Sequence, residues 1–284
     1  MREIGVNTHC ECGDTLAEIL QNIKTAGFRN IMLMENKGRL EKEIELIKAQ
    51  GFNIPFVHME YRDRGDNETS INVDKLWLKS ESKALVKNII ERIKICAKHG
   101  IDTVVMHPVS RPHLKCNKPD WSMDLGVDSF KQIAAAAAKV GVKVALENLN
   151  ASDNVYLHYL LERIPNIGFC YDCGHHYLYA PEVDFMGMYG NRCLAVHLHD
   201  NNMDAVEVDR YQPCDTDLHL LPFDGKIDFQ KVLADIKASS YKGILMLELH
   251  KSAEPVTREK YGNLSPADYL KTAFSRGKKL LKIR

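Results

Sequence analysis

Eight short apolar runs in this chain each stop at a residue that can bind a metal or carry a proton. They are Ile4-Gly5-Val6 before His9, Ile31-Met32-Leu33-Met34 before Glu35, Phe56-Val57 before His58, Val104-Val105-Met106 before His107, Val144-Ala145-Leu146 before Glu147, Phe169-Cys170-Tyr171 before Asp172, Leu194-Ala195-Val196 before His197, and Leu245-Met246-Leu247 before Glu248. Each run has the length and composition of a buried strand. An ionisable side chain against such a run is costly unless it is paired or coordinated. Eight of them at strand ends can offset one another only where the strands converge, and a parallel barrel brings its carboxyl ends to one face.

The segments between the runs support that architecture. Residues 14–26 carry apolar side chains at three- and four-residue spacing, with Asp14 suited to the N-cap, and amphipathic stretches follow at 72–99, 128–140, 153–163, 228–239 and 266–282. Gly27, Gly51, Gly100, Gly141 and Gly243 each precede an apolar run, the expected place for a helix C′ glycine. The long polar connections, roughly 60–71, 108–126 and 198–226, all follow strands. In a barrel these cover the catalytic face. An open doubly wound sheet would want a Gly-rich phosphate turn after its first strand, and Asn7-Thr8-His9-Cys10-Glu11-Cys12-Gly13 lacks one, which disfavours nicotinamide or flavin binding. The expectation is one (β/α)8 barrel domain over residues 1–284.

Composition narrows the function. Thirty-eight basic residues balance 38 acidic ones, so bulk charge gives no support to nucleic-acid binding. No apolar stretch reaches membrane-spanning length, and the start of the chain reads as a strand rather than a secretory leader; a cytoplasmic protein is expected. A chain of this size stabilises itself by core burial, so its eight cysteines read as free thiols. Cys170 and Cys173 form a C-x-x-C that straddles Asp172, and no second pair completes a zinc cage.

Glu147, Asp172, His197 and Glu248 close the last four strands. Three carboxylates and one imidazole make a mostly oxygen donor set suited to Mn²⁺, Mg²⁺ or Co²⁺ and acceptable to Zn²⁺. One such residue alone would be a helix cap or an ion-pair partner; four in a predicted ring imply one divalent ion. His175 lies three residues after Asp172 and can reach the same cavity, whereas His199 reads equally as surface or as support for the site. Asp217-Leu218-His219, before a turn that feeds the helix opened by Asp228, is by itself a weak signal.

The ordered set Glu147-Asn148, Asp172-x-x-His175, His197-x-His199-Asp200, Asp217-x-His219 and Glu248 resembles the xylose isomerase-like barrel superfamily, which includes sugar-phosphate isomerases and epimerases and endonuclease IV. The resemblance implies that Glu147, Asp172, His197 and Glu248 hold one ion and that His175 touches substrate oxygens, with His58, His107 and His219 also at the substrate. It implies a sugar, sugar-phosphate or inositol-derivative isomerase or epimerase. The ion would ease formation of an enediolate while Glu147 and Glu248, on opposite faces of the substrate carbon, move the proton. The alternative is an endonuclease IV-like zinc enzyme acting at abasic sites, for which His58, His107, Glu147, Asp172, His175, His197, Asp217, His219 and Glu248 match all nine ligands and Tyr61 matches a residue near DNA. Against it, Asp172-Cys173-Gly174-His175 departs from the usual Asp-Thr-Cys-His, and Pro222-Phe223-Asp224-Gly225 departs from a Gly-rich turn. A metal-dependent dehydratase or lyase is a further alternative, as is a barrel that only binds a ligand. A small carbohydrate partner and a homo-oligomer are compatible with the sequence; nucleic acid is not expected. Arg62, Arg64, Arg111 and Lys115 lie in the long loops, where they could grip an anion.

Overall fold

The computed structural model describes residues 2–35, 38–62, 71–110, 116–202 and 217–283. Eight parallel strands close into a barrel in sequence order: β1 (Ile4–Asn7), β2 (Asn30–Met34), β3 (Val57–His58), β4 (Thr103–Met106), β5 (Lys143–Glu147), β6 (Gly168–Asp172), β7 (Cys193–Leu198) and β8 (Leu245–Leu247). Closure is made by β8 against β1, with Ile4 opposite Leu245 and Val6 opposite Leu247. The expected barrel is therefore present, and none of its eight strands is left with an open edge.

Helices α1 (Leu16–Ala26), α2 (Leu40–Ala49), α3 (Ser82–Lys98), α4 (Met123–Lys139), α5 (Ala151–Arg163), α6 (Cys173–Tyr179), α7 (Phe185–Tyr189), α8 (Phe229–Ala238), α9 (Pro255–Tyr261) and α10 (Pro266–Leu280) surround it. Strand side chains alternate between two cores. Met32, Met34, Phe56, Val105, Ala145, Cys170, Ala195 and Met246 fill the lumen, while Ile31, Leu33, Val104, Val144, Phe169, Val196 and Leu247 face the helices. A filled lumen leaves the mouth as the place for a ligand.

The helix boundaries differ from the sequence expectation where tertiary contacts intervene. Thr15, not Asp14, caps α1: its hydroxyl accepts from the Glu18 amide while the Glu18 carboxylate accepts from the Thr15 amide. The single helix expected over 72–99 is a 3₁₀ turn at Val73–Trp77, then α3. Between them Leu78 is extended and bridges Trp121, and the Trp77 indole donates to the Pro108 carbonyl at 3.0 Å. Helical periodicity cannot register such anchors. Gly27, Gly51, Gly100 and Gly141 all adopt the left-handed conformation expected of them; Gly243 does not. Among the described residues seven cysteines are free and no helix is long and apolar enough to cross a membrane.

Candidate metal centre

The register of β5, β6 and β7 sets Glu147 beside Cys170 and Asp172 beside His197, after a bulge between Phe169 and Cys170 that shifts β6 against β7. Glu248 follows β8, His58 ends β3 and His107 follows β4. Asp172 also caps α6, accepting from the His175 amide at 2.7 Å, which fixes His175 over the mouth. Asp217 and His219 come from the segment after β7, held by paired backbone bonds between Asp200 and Leu220.

These nine side chains form three donor sets. In the first, Glu147 Oε2 lies 2.9 Å from His58 Nε2 and 3.4 Å from His107 Nε2. In the second, His197 Nδ1 is surrounded by Glu248 Oε2 at 2.9 Å, Glu147 Oε1 at 3.3 Å and Asp172 Oδ2 at 3.7 Å. In the third, Asp217 Oδ2 lies 2.9 Å from His175 Nε2 and 3.2 Å from His219 Nε2. Glu147 belongs to the first two, and His175 Nδ1 approaches its Oε1 at 3.3 Å.

Tautomers show what the sets lack. His58 Nδ1 lies 3.0 Å from the Met59 carbonyl, and His219 Nδ1 lies 3.0 Å from the Glu248 carbonyl. A carbonyl only accepts, so each of those nitrogens carries the proton, and in a neutral ring the other nitrogen presents a lone pair. That lone pair faces a carboxylate oxygen in both cases. Two electron-rich atoms at such range need a proton or a cation between them. His197 Nδ1 and Glu248 Oε2, although 2.9 Å apart, have no hydrogen-bond partner among the described residues.

Electrostatics agree. Burial alone would lower the His197 pKa, yet Cys170, Glu248 and Glu147 hold it well above the ordinary histidine range; Asp172 and Asp217 do the same for His175. Burial would raise Glu147 and Asp217, but the surrounding imidazoles hold both well below the carboxylate range. For His107 burial outweighs Glu147 and the pKa falls. The chemistry of the donors therefore fits divalent ions: hard and oxygen-rich for the second set, imidazole-rich and zinc-like for the first and third.

Two of the eight strand ends do not join. Glu35 is neutralised by buried Arg92, which also approaches Glu60 at 3.9 Å. His9 lies beside His58 and Glu35 around a small hollow, outside the three sets. A cavity of about 180 Å³ adjoins the centre, lined by Tyr61, Arg62, His107, Asn150, Asp153, His175 and Asp217 among others. Tyr61 stacks on His107, ring centroids 3.9 Å apart. A larger cavity of about 620 Å³ between α2 and α3 contains none of the mouth donors. Cys170 joins Glu147 and His197 in a further group that overlaps the second set, and Glu41, Glu45 and His99 form one on the outside, with Glu41 already paired to Lys98 at 2.7 Å. Of the loop cations, Arg62 reaches the cavity; Arg64, Arg111 and Lys115 lie outside the described residues.

Several supporting residues carry no metal-ligand signature in the sequence. The Asn148 amide accepts from the Asp172 N–H at 2.8 Å and donates to the Asp172 carbonyl at 2.9 Å, which extends the β5–β6 ladder by one side chain. Asn7 does the same toward Leu249 across the β8–β1 closure. Asn201 donates to Asp217 Oδ1 at 3.2 Å. Asp200 accepts from the amides of Phe223, Gly225 and Ile227 and so shapes the turn after His219.

The sequence profile described as xylose isomerase-like TIM barrel matches residues 20–267. The protein y4fM of Sinorhizobium fredii is 29% identical over 181 residues, which span 61% of this chain and 54% of that protein. This chain thus matches about half the length of that relative. Among solved structures, a D-tagatose 3-epimerase-like protein superposes with a TM-score of 0.65 at 22% identity, covering 99% of this chain and 100% of the other. The 3-keto-D-glucoside 4-epimerase of E. coli superposes with a TM-score of 0.67 at 17% identity, covering 98% and 100%.

Proposed function

The chain belongs to the xylose isomerase-like TIM barrel family, and from that premise we propose that it is a divalent-metal-dependent isomerase or epimerase of a small carbohydrate. The observation that carries this reading is the meeting of two buried carboxylates, Glu147 and Glu248, on one imidazole nitrogen of His197. Both are held below the usual carboxylate range by the neighbouring imidazoles, so both are ionised at neutral pH, the charge a divalent ion requires of its ligands. The epimerase folds among the solved structures support the same reaction class.

Glu147, Asp172, His197 and Glu248 would hold the ion, which when bound supplies Lewis acidity toward a carbonyl and its neighbouring hydroxyl. Glu147 and Glu248 exchange the proton on the carbon beside that carbonyl, and removal by one with return by the other inverts the centre. His175, His107, His58 and His219 line the approach and orient substrate oxygens. Burial of the lumen below the donors keeps water from entering except through the mouth.

A second reading has its own observation: the first and third donor sets are complete and could take two more ions, as a three-zinc abasic-site nuclease requires. Metal count and product separate the two. Elemental analysis of gently purified protein should give one ion per chain, and solvent deuterium should enter a ketose or aldose beside its carbonyl in the presence of Mn²⁺ or Co²⁺. Three zinc ions per chain with no exchange into any sugar of a broad panel would overturn the isomerase reading.

A further inference from the structure

One fully buried imidazole at the mouth belongs to none of the three donor sets. His199, two residues past His197 on the same face of the chain, places Nε2 3.1 and 3.2 Å from the two oxygens of Asp172. Its Nδ1 has no hydrogen-bond partner among the described residues and stands 3.8 Å from Asp217 Oδ1, beyond direct bonding range. Its ring stacks on His219 at 3.9 Å between centroids, 17° from parallel. Space for it is made by Gly174: a Cβ there would fall 1.9 Å from His199 Cε1 and 2.4 Å from Nε2. Gly174, part of one departure from the nuclease motif, thus makes room for the imidazole at position 199.

We propose that His199 is a positioning residue: its Nε2–H turns the Asp172 carboxylate toward His197, and its ring holds His219 and the Asp217 segment over the mouth. The inference rests on the reading that Glu147, Asp172, His197 and Glu248 hold a divalent ion. A hydrogen bond to a ligating carboxylate fixes its orientation, and loss of such support commonly costs ten- to a hundredfold in metal affinity.

The test compares side chains that differ in reach. In histidine, Nε2 sits one atom further out than Nδ1; glutamine places its amide nitrogen near the former and asparagine near the latter. Mn²⁺ binding to the full chain is titrated calorimetrically for the wild type, His199→Gln, His199→Asn and His199→Ala, with melting of the metal-free forms alongside. His199→Gln should stay within a few-fold of the wild type. His199→Asn and His199→Ala should bind about ten- to a hundredfold more weakly. Metal-free melting shows whether each variant is folded; the Asn variant, one methylene shorter and without the bond to buried Asp172, should melt somewhat lower than the Gln variant. Equal affinity of the Gln and Asn variants would overturn the proposal, and that comparison stands even where the alanine variant does not fold. A wild type that binds neither Mn²⁺ nor Co²⁺ would instead overturn the metal reading, and this inference with it.

Discussion

At the scale of single residues, Glu147 carries the greatest burden, because its two oxygens serve two donor sets. On the proposed reading Glu147→Gln removes a ligand charge and a proton carrier together, so turnover on a confirmed substrate should fall at least about a thousandfold. Glu248→Gln should fall comparably, and His175→Ala less; near wild-type turnover of either glutamine variant would show that the two glutamates are not the acid/base pair. Asp153, beside the cavity, illustrates a different charge. Burial, reinforced by Asp74, raises its carboxyl from 3.8 to about 7. A raised acid holds its proton in the folded state, so stability falls as pH rises from about 4 to about 7, and the full cost, at most about 4 kcal/mol, is present above pH 7. Asp153→Asn should therefore melt higher than the wild type at pH 8, with the advantage vanishing near pH 4; equal advantage at both pH values would contradict this. The donors at strand ends were legible because an ionisable group after an apolar run is costly. His199 could be read only as surface or support, and Asn7 and Asn201 were not legible, since a polar residue becomes distinctive only when its partner, distant in sequence, is placed beside it.

At the scale of elements, the barrel mouth is tied by side chains that imitate backbone. Asn148 satisfies both the N–H and the carbonyl of Asp172, so Asn148→Leu leaves two buried backbone groups unpaired, at about 1–3 kcal/mol each. For a chain of this size each kcal/mol lowers the melting temperature by about 2–4 °C, so a fall of roughly 5–20 °C is expected. A scanning-calorimetry shift of less than about 2 °C would mean that water replaces the amide. Strand order and most helices could be read from periodicity and punctuation because both are local. The short α6, α7 and α9, the break at Leu78 and the helix α2 fell outside that reading. α6 exists because Asp172 caps it, and the Leu78 break exists because Trp77 and Trp121 anchor it from other parts of the chain.

At the scale of the whole molecule, closure of β8 on β1 brings three donor sets into one mouth, and the decisive question becomes which ligand the surrounding surface attracts. A protein that grips duplex DNA does so by neutralising phosphates, and one making 6–10 such contacts loses about 10³–10⁵ in affinity between 50 and 200 mM salt. This chain has equal numbers of acidic and basic residues, and the cavity beside the centre is lined by Arg62 together with Asp217 and the partly protonated Asp153. That balance suits a small neutral or weakly charged polyol better than a polyanion. The expected outcome is that protein loaded with Zn²⁺ or Mn²⁺ leaves a duplex with one abasic site uncut at 150 mM salt, while the same preparation exchanges deuterium into a sugar. Incision that depends on metal and disappears in Glu147→Gln would reverse the order of the two readings, because the same nine donors would then be serving a phosphodiester.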